Sequence, residues 1–204
     1  MTRVHKHSFL PLPPSLPPSL PPLQVFLDLD CPFSRKCFKT LYEGSVIDSY
    51  NGRPVQFLMH NVIQPWHPVG SLMHEVSLAV KSMQPSSFYP FVNRIFDAQE
   101  SFSDVATESM TRGQVNEALV ALAVEVGVSR EALQERIALT GGGGGNAGSA
   151  TTQEVKWACK YHRSRGVHVT PTVFVNGLEA SDISSGWTVG EWKELLDDCL
   201  AASY

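Results

Sequence analysis

The sequence predicts an α/β fold in which a mixed sheet is interrupted by a long all-helical insertion. Two apolar strand-like runs near the N-terminus flank a helical pattern, which is a parallel strand–helix–strand start. Helical periodicity then runs from Ser71 to Leu139. A third strand region, near the C-terminus, carries Asn176-Gly177, a hairpin signal that adds an antiparallel pair.

Val25 to Asp30 (VFLDLD) alternates apolar and polar residues and reads as the first strand. It runs into Cys31-Pro32, and proline suits a helix's first turn. A helix is predicted from Pro32 to Asp48, with Phe33, Cys37, Leu41 and Val46 facing inward. Asn51-Gly52 marks a turn, and Val55 to Val62 reads as a strand ended by Pro65-Trp66-His67-Pro68.

In the insertion, Leu72, Val76, Ala79 and Val80 share one helix face. Phe88, Phe91, Val92, Ile95 and Phe96 share another, and Val115, Leu119, Leu122 and Val126 a third. Ser129 suits the N-cap of a helix carrying Leu133 and Ile137. Gly141 to Gly145 belong to a flexible linker over residues 140–150. It is not a Walker loop, because Ser149-Ala150 follows its last glycine.

Thr151 or Thr152 caps the next helix, which runs to Arg165, and Gly166 suits its left-handed end. His168 to Val175 reads as a strand broken early by Pro171. Val173–Val175 then pairs with Leu178–Ser181 across the Asn-Gly turn. Thr188-Val189-Gly190-Glu191 is a capping box for a last helix burying Trp192, Leu195, Leu196 and Cys199.

The 204 residues, 43% hydrophobic and 18% charged, fit one domain, here residues 25–204. Residues 1–24 are basic at Arg3 and Lys6, then proline-rich, and read as a disordered polyproline II tail. Its Leu-Pro-Pro-Ser repeats suit an aromatic-lined groove on a partner. The prolines interrupt any secretory signal core, so a cytoplasmic location is expected. The absence of acids before Asp28 also fits an organellar targeting segment. A net charge of −4 gives no reason to expect nucleic acid or an anionic membrane as partner, and no apolar run is long enough to span a bilayer. The oligomeric state is not legible.

Cys31, Cys37, Cys159 and Cys199 match no zinc spacing and are few for a disulfide scaffold. No metal or resident cofactor is expected. A cysteine between a strand and a helix sits where unpaired amides and the helix dipole favour a thiolate. Arg35 and Lys36 add positive potential, and Asp30 opposes it. An inert cysteine buried at a strand end fits this local evidence equally well. The distant Val169-Thr170-Pro171-Thr172 adds a proline at a strand start, where no ladder donor is needed.

Cys31-Pro32-Phe33-Ser34, Asp28 before it, the helical insert, and the Gly166–Gly177 segment (GVHVTPTVFVNG) together resemble the DsbA-like branch of the thioredoxin superfamily. The resemblance runs from Val25 to the C-terminus and implies a thioredoxin-like mixed sheet with an inserted helical subdomain. It implies that Cys31 is the nucleophile, that Pro171 is a cis-proline beside it, and that the Thr170 backbone pairs with an extended substrate. Pro32 and Phe33 complete the expected substrate surface. Asp28 matches an acid common in the family's first strand, and a solvated strand residue is the plainer reading.

Ser34 departs from the family pattern, standing where a dithiol enzyme has its resolving cysteine. Cys37 lies on another helix face, and Cys159 and Cys199 fall on apolar faces. The expected function is therefore that of a monothiol thiol–disulfide oxidoreductase or glutathione-dependent thiol transferase, working with thiol or disulfide partners such as glutathione. Ser34 is expected to hydrogen-bond the Cys31 thiolate or a bound thiolate. Kappa-class glutathione transferases likewise centre on a serine. A non-catalytic peptide-binding module stands as an alternative. So does an iron–sulfur carrier with glutathione, after the Cys-Gly-Phe-Ser of monothiol glutaredoxins.

His60, His67 and His74 recur every seven residues but fall on a strand, a loop and a helix, and read as three ordinary histidines. The Gln64–Pro68 loop fits either a border of the Cys31 groove or a cap on the core, with capping preferred. His168 lies close enough to Pro171 to influence Cys31. No Ser-His-Asp or nucleotide-binding pattern appears.

Overall fold

The computed structural model describes residues 22–141 and 145–201. A four-stranded mixed sheet has the order β2-β1-β3-β4. The central strand β1 (Pro22–Leu27) pairs in parallel with β2 (Gln56–Asn61) and antiparallel with β3 (Thr172–Val175). Val25 faces Met59 on one side and Val173 on the other. The short β4 (Leu178–Glu179) folds back on β3 through Asn176 and Gly177, with φ of 52° and 82°. Positive φ at both turn residues gives the twist a two-residue hairpin needs.

β1 starts three residues before the expected Val25 and ends at Leu27. Asp28–Asp30 form a turn instead, because the Cys31 amide closes onto the Asp28 carbonyl at 3.2 Å. The rest of the N-terminal tail, expected to be disordered, lies outside the described residues. Helix α1 (Pro32–Tyr42) also stops early. A Cβ on Gly44 would lie 2.3 Å from the Thr40 carbonyl, and Ser45 takes φ 54°. The chain breaks there and restarts as α2 (Val46–Ser49). Phe33, expected inside, is 61% exposed, and Cys37, Phe38 and Leu41 form the buried face of α1.

The insertion comprises α3 (Gly70–Met83), α4 (Phe88–Asp97), α5 (Asp104–Thr107), α6 (Arg112–Glu125) and α7 (Arg130–Ile137). The Ser129 hydroxyl caps α7 through the Ala132 amide. Leu122 and Val126 are only half-buried, and Ala123 takes the inward position. Residues 142–144 of the glycine linker are outside the described residues. Two more helices lie beyond the linker, α8 (Thr152–Ser164) and α9 (Val189–Ala201). Gly166 follows α8 with φ 71°. The Thr188–Glu191 box forms, with both reciprocal bonds, and buries Trp192 and Leu196, whereas Leu195 and Cys199 are half-buried.

One contiguous apolar core joins β1, α1, α9 and the insertion. The insertion therefore packs as part of the domain, and its first helix α3 lies under the turn that precedes Cys31.

Candidate active site around Cys31

Cys31 is the N-cap of α1, with φ −84° and ψ 123° and Pro32 in the first turn. It is 7% exposed, and its Sγ donates to the Thr170 carbonyl at 3.5 Å. The Thr170–Pro171 peptide bond is cis. Thus 139 residues of sequence separation close to one contact. Pro32 and Phe33 point to solvent, and Thr170 and Pro171 are half-buried beside the thiol. Thr172 Oγ donates to the Val169 carbonyl at 2.7 Å and closes that bend, so β3 starts at Thr172 rather than His168.

Ser34 is fully buried, and its hydroxyl accepts the Asp28 amide at 3.1 Å. That contact uses the Ser34 oxygen as an acceptor and ties the residue to the turn that carries Cys31. Cys37 is 1% exposed, and burial pushes its thiol up to about 12. Cys31 and Cys37 form no disulfide among the described residues. Cys159 and Cys199 are half-buried on α8 and α9, and burial raises both thiols.

Asp28 is the largest departure from expectation. It is fully buried, not solvated. Its Oδ1 accepts the Asp30 amide and His74 Nε2, both at 3.1 Å. Its Oδ2 accepts the Gln64 amide at 3.2 Å and His67 Nδ1 at 2.7 Å. Burial pushes the carboxyl up, but the donors, His74 foremost, outweigh it and hold Asp28 below its ordinary value.

The ring proton of His74 can be placed from its neighbours. Ser77 Oγ donates to the His74 carbonyl at 2.9 Å, so it accepts the Asn61 side-chain N–H at 3.0 Å. That turns Asn61 Nδ2 toward His74 Nδ1 at 2.8 Å, and Nδ1 accepts. The proton is then on Nε2, facing Asp28. The Leu29 amide, 3.3 Å from Nε2, becomes a close approach rather than a hydrogen bond.

His67 and His74 therefore converge on one carboxylate, which their seven-residue spacing did not reveal. His60 lies elsewhere, stacked on Phe26 (4.6 Å) and tilted against Tyr161 (4.7 Å), with its imidazole lowered to about 3 by burial. Among the described residues no group of three or more His, Cys, Asp or Glu is arranged for a metal ion. The Gln64–Pro68 loop borders the site rather than only capping the core. Gln64 Nε2 donates to the His168 carbonyl at 3.1 Å. The His168 side chain is exposed, and it is the backbone of this residue that joins the network. Asp30, beside Cys31, is raised to about 6 by burial. Arg35 pairs loosely with Glu100 at 3.7 Å.

No family model matches the chain, and no curated protein matches it. Solved structures do. A protein of Pseudomonas syringae, proposed to be a protein-disulfide isomerase, matches with TM-score 0.66 and 24% identity over 88% of this chain and 93% of that one. BdbD from Bacillus subtilis matches with TM-score 0.65 and 21% identity over 91% of each chain. Pseudomonas aeruginosa DsbA matches with TM-score 0.58 and 18% identity, over 95% of this chain and 88% of its own. These likenesses establish the fold: a thioredoxin-like mixed sheet with an inserted helical subdomain, as in DsbA-like structures. No helix among the described residues is long and apolar enough to cross a membrane.

Proposed function

We propose that this protein is a monothiol thiol–disulfide oxidoreductase acting through Cys31. The observation that carries the reading is the Cys31 thiol at the N-cap of α1, 3.5 Å from the Thr170 carbonyl before cis-Pro171. The fold is shared with the Pseudomonas syringae structure proposed to be a protein-disulfide isomerase, which supports the same class.

The Cys31 thiolate attacks one sulfur of a disulfide R–S–S–R′. A Cys31–S–S–R bond forms, the R–S–S–R′ bond breaks, and R′S⁻ leaves. Ser34 supplies no second thiol, and Cys37 is buried with its proton held. Release therefore falls to an external thiolate such as that of glutathione. It attacks the R sulfur, forms a new mixed disulfide and returns Cys31 as thiolate. The net reaction exchanges one thiolate for another with no change in total oxidation state. The Thr170 backbone is the surface an extended substrate meets, with Pro32 and Phe33 on the opposite wall.

A second reading, a non-catalytic peptide-binding module, draws on the same absence of a resolving thiol at Ser34. One experiment separates the two. Wild-type protein is incubated with glutathione disulfide and examined by mass spectrometry, then given reduced glutathione. The enzyme reading expects one glutathione adduct on Cys31 that is removed by added thiol and is absent in Cys31→Ser. An adduct that persists in Cys31→Ser, or none in wild type, overturns it.

A further inference from the structure

The loop between β2 and α3 is fastened to the site at three points. The Gln64 amide and His67 Nδ1 both reach Asp28 Oδ2, at 3.2 and 2.7 Å. Gln64 Nε2 reaches the His168 carbonyl, three residues before Pro171. Between these ties sits Trp66, 61% exposed. Seven large hydrophobic residues are exposed among those described, and three of them belong to the segments this network joins. They are Phe33, two residues after Cys31; Val169, beside Thr170; and Trp66, beside His67. Asp28 has its carboxyl held below the ordinary value, so it is an acceptor, and His67 Nδ1 carries the proton between them. A charge-assisted bond of this kind, with one partner fully buried, is worth more than an exposed one.

We propose that His67 is a positioning residue for the Cys31 reaction. Its Nδ1–H bond to Asp28 holds Trp66 at the mouth of the site, where the indole meets an apolar side chain next to the attacked sulfur. The inference rests on the proposed thiol exchange, and it names the substrate class: a disulfide flanked by aromatic or aliphatic residues. His67 acts through Trp66 and does not itself transfer the reacting proton.

The test uses a short peptide, Phe-Cys-Phe, as its mixed disulfide with glutathione, and the Phe-Ser-Phe peptide for binding alone. His67→Leu, which cannot donate, and Trp66→Ala should each raise KM for the mixed disulfide about tenfold, the usual cost of a lost aromatic contact, with the loss in KM rather than kcat. His67→Asn places a side-chain N–H near the position of Nδ1 and should restore KM. Hydrogen exchange over residues 62–70 should lose protection in His67→Leu and regain it in His67→Asn. The inference is overturned if His67→Leu leaves KM and protection unchanged. It is also overturned if His67→Asn falls as far as His67→Leu in kcat, since the ring would then be doing the chemistry. Should wild type show no exchange with the mixed disulfide, the proposed function fails. Phe-Ser-Phe binding, weakened in Trp66→Ala and His67→Leu or not, then decides the positioning role by itself.

Discussion

On the outer side of the Asp28–Cys31 turn, one thiol faces one carbonyl at 3.5 Å, with exposed Phe33 alongside. On the inner side, one carboxylate is ringed by four donors within 3.2 Å, from its own turn, a loop and a helix. The outer contact is sparse and leaves the sulfur with capacity to react. The inner cluster is saturated and leaves Asp28 with none. A reactive group needs an underused environment, and a positioning group needs the opposite. Ser34 lies between the two sides. In sequence it belongs with Cys31, but in space it belongs with Asp28, whose amide it accepts.

The comparison breaks most severely at Asp28. Asp28→Ala leaves four donors without an acceptor in a buried site and should cost roughly 3–5 kcal/mol of stability, read by urea unfolding. The Asp28 carboxyl is held below its ordinary value of 3.8, so its contribution is present above that value and fades as pH falls through it. The gap between wild type and variant should therefore narrow in acid. A variant as stable as wild type at pH 7 would show that the cluster is not the anchor described.

Ser34→Ala is the next largest, since it removes the acceptor of one buried amide and should cost about 1–3 kcal/mol. If Ser34 acts only structurally, adduct formation at Cys31 per folded molecule should not change, as mass spectrometry after glutathione disulfide would show. Ser34→Cys sharpens the contrast from the other direction. Helix geometry puts residues three apart at about 5 Å between Cα atoms, inside disulfide reach. That variant should release a Cys31 adduct without added glutathione, which a timed mass measurement detects.

Asp30→Asn should act in the opposite, stabilising direction. Burial raises the Asp30 carboxyl from 3.8 to about 6, so the folded chain holds this proton more tightly than the unfolded chain. Stability from this group therefore falls as pH rises from about 4 through 6. Asp30→Asn should raise Tm at pH 8 and have little effect near pH 3.

The outer side was legible because its parts announce themselves locally. Cys31-Pro32 is a helix start by proline geometry, and Thr170-Pro171 is a strand start by its missing donor. Asn176-Gly177 and Thr188–Glu191 were equally plain, since each is completed within four residues. Phe33, an apolar residue near a helix start, suggests burial, and only the surrounding packing decides that its side faces out. Strand alternation assigns Asp28 to water, and only the packing of the loop and α3 against the turn buries it. The available signal is a carboxylate followed by His67 and His74, both side-chain donors, in the segment that must pass beneath the first strand's end.

By itself, then, the amino-acid sequence determined the order of strands and helices, the helical insertion, the hairpin, and the cysteine and proline that oppose each other. These follow from backbone propensity and side-chain period, which act over a few residues. Only the tertiary structure decided that Ser34 serves Asp28, that His67 and His74 share one carboxylate, and that the Trp66 loop is tied to the cis-proline segment. Hydrogen bonds at 2.7–3.2 Å onto the Asp28 side chain from groups 36 to 46 residues away depend on how elements pack, and no local pattern encodes that distance.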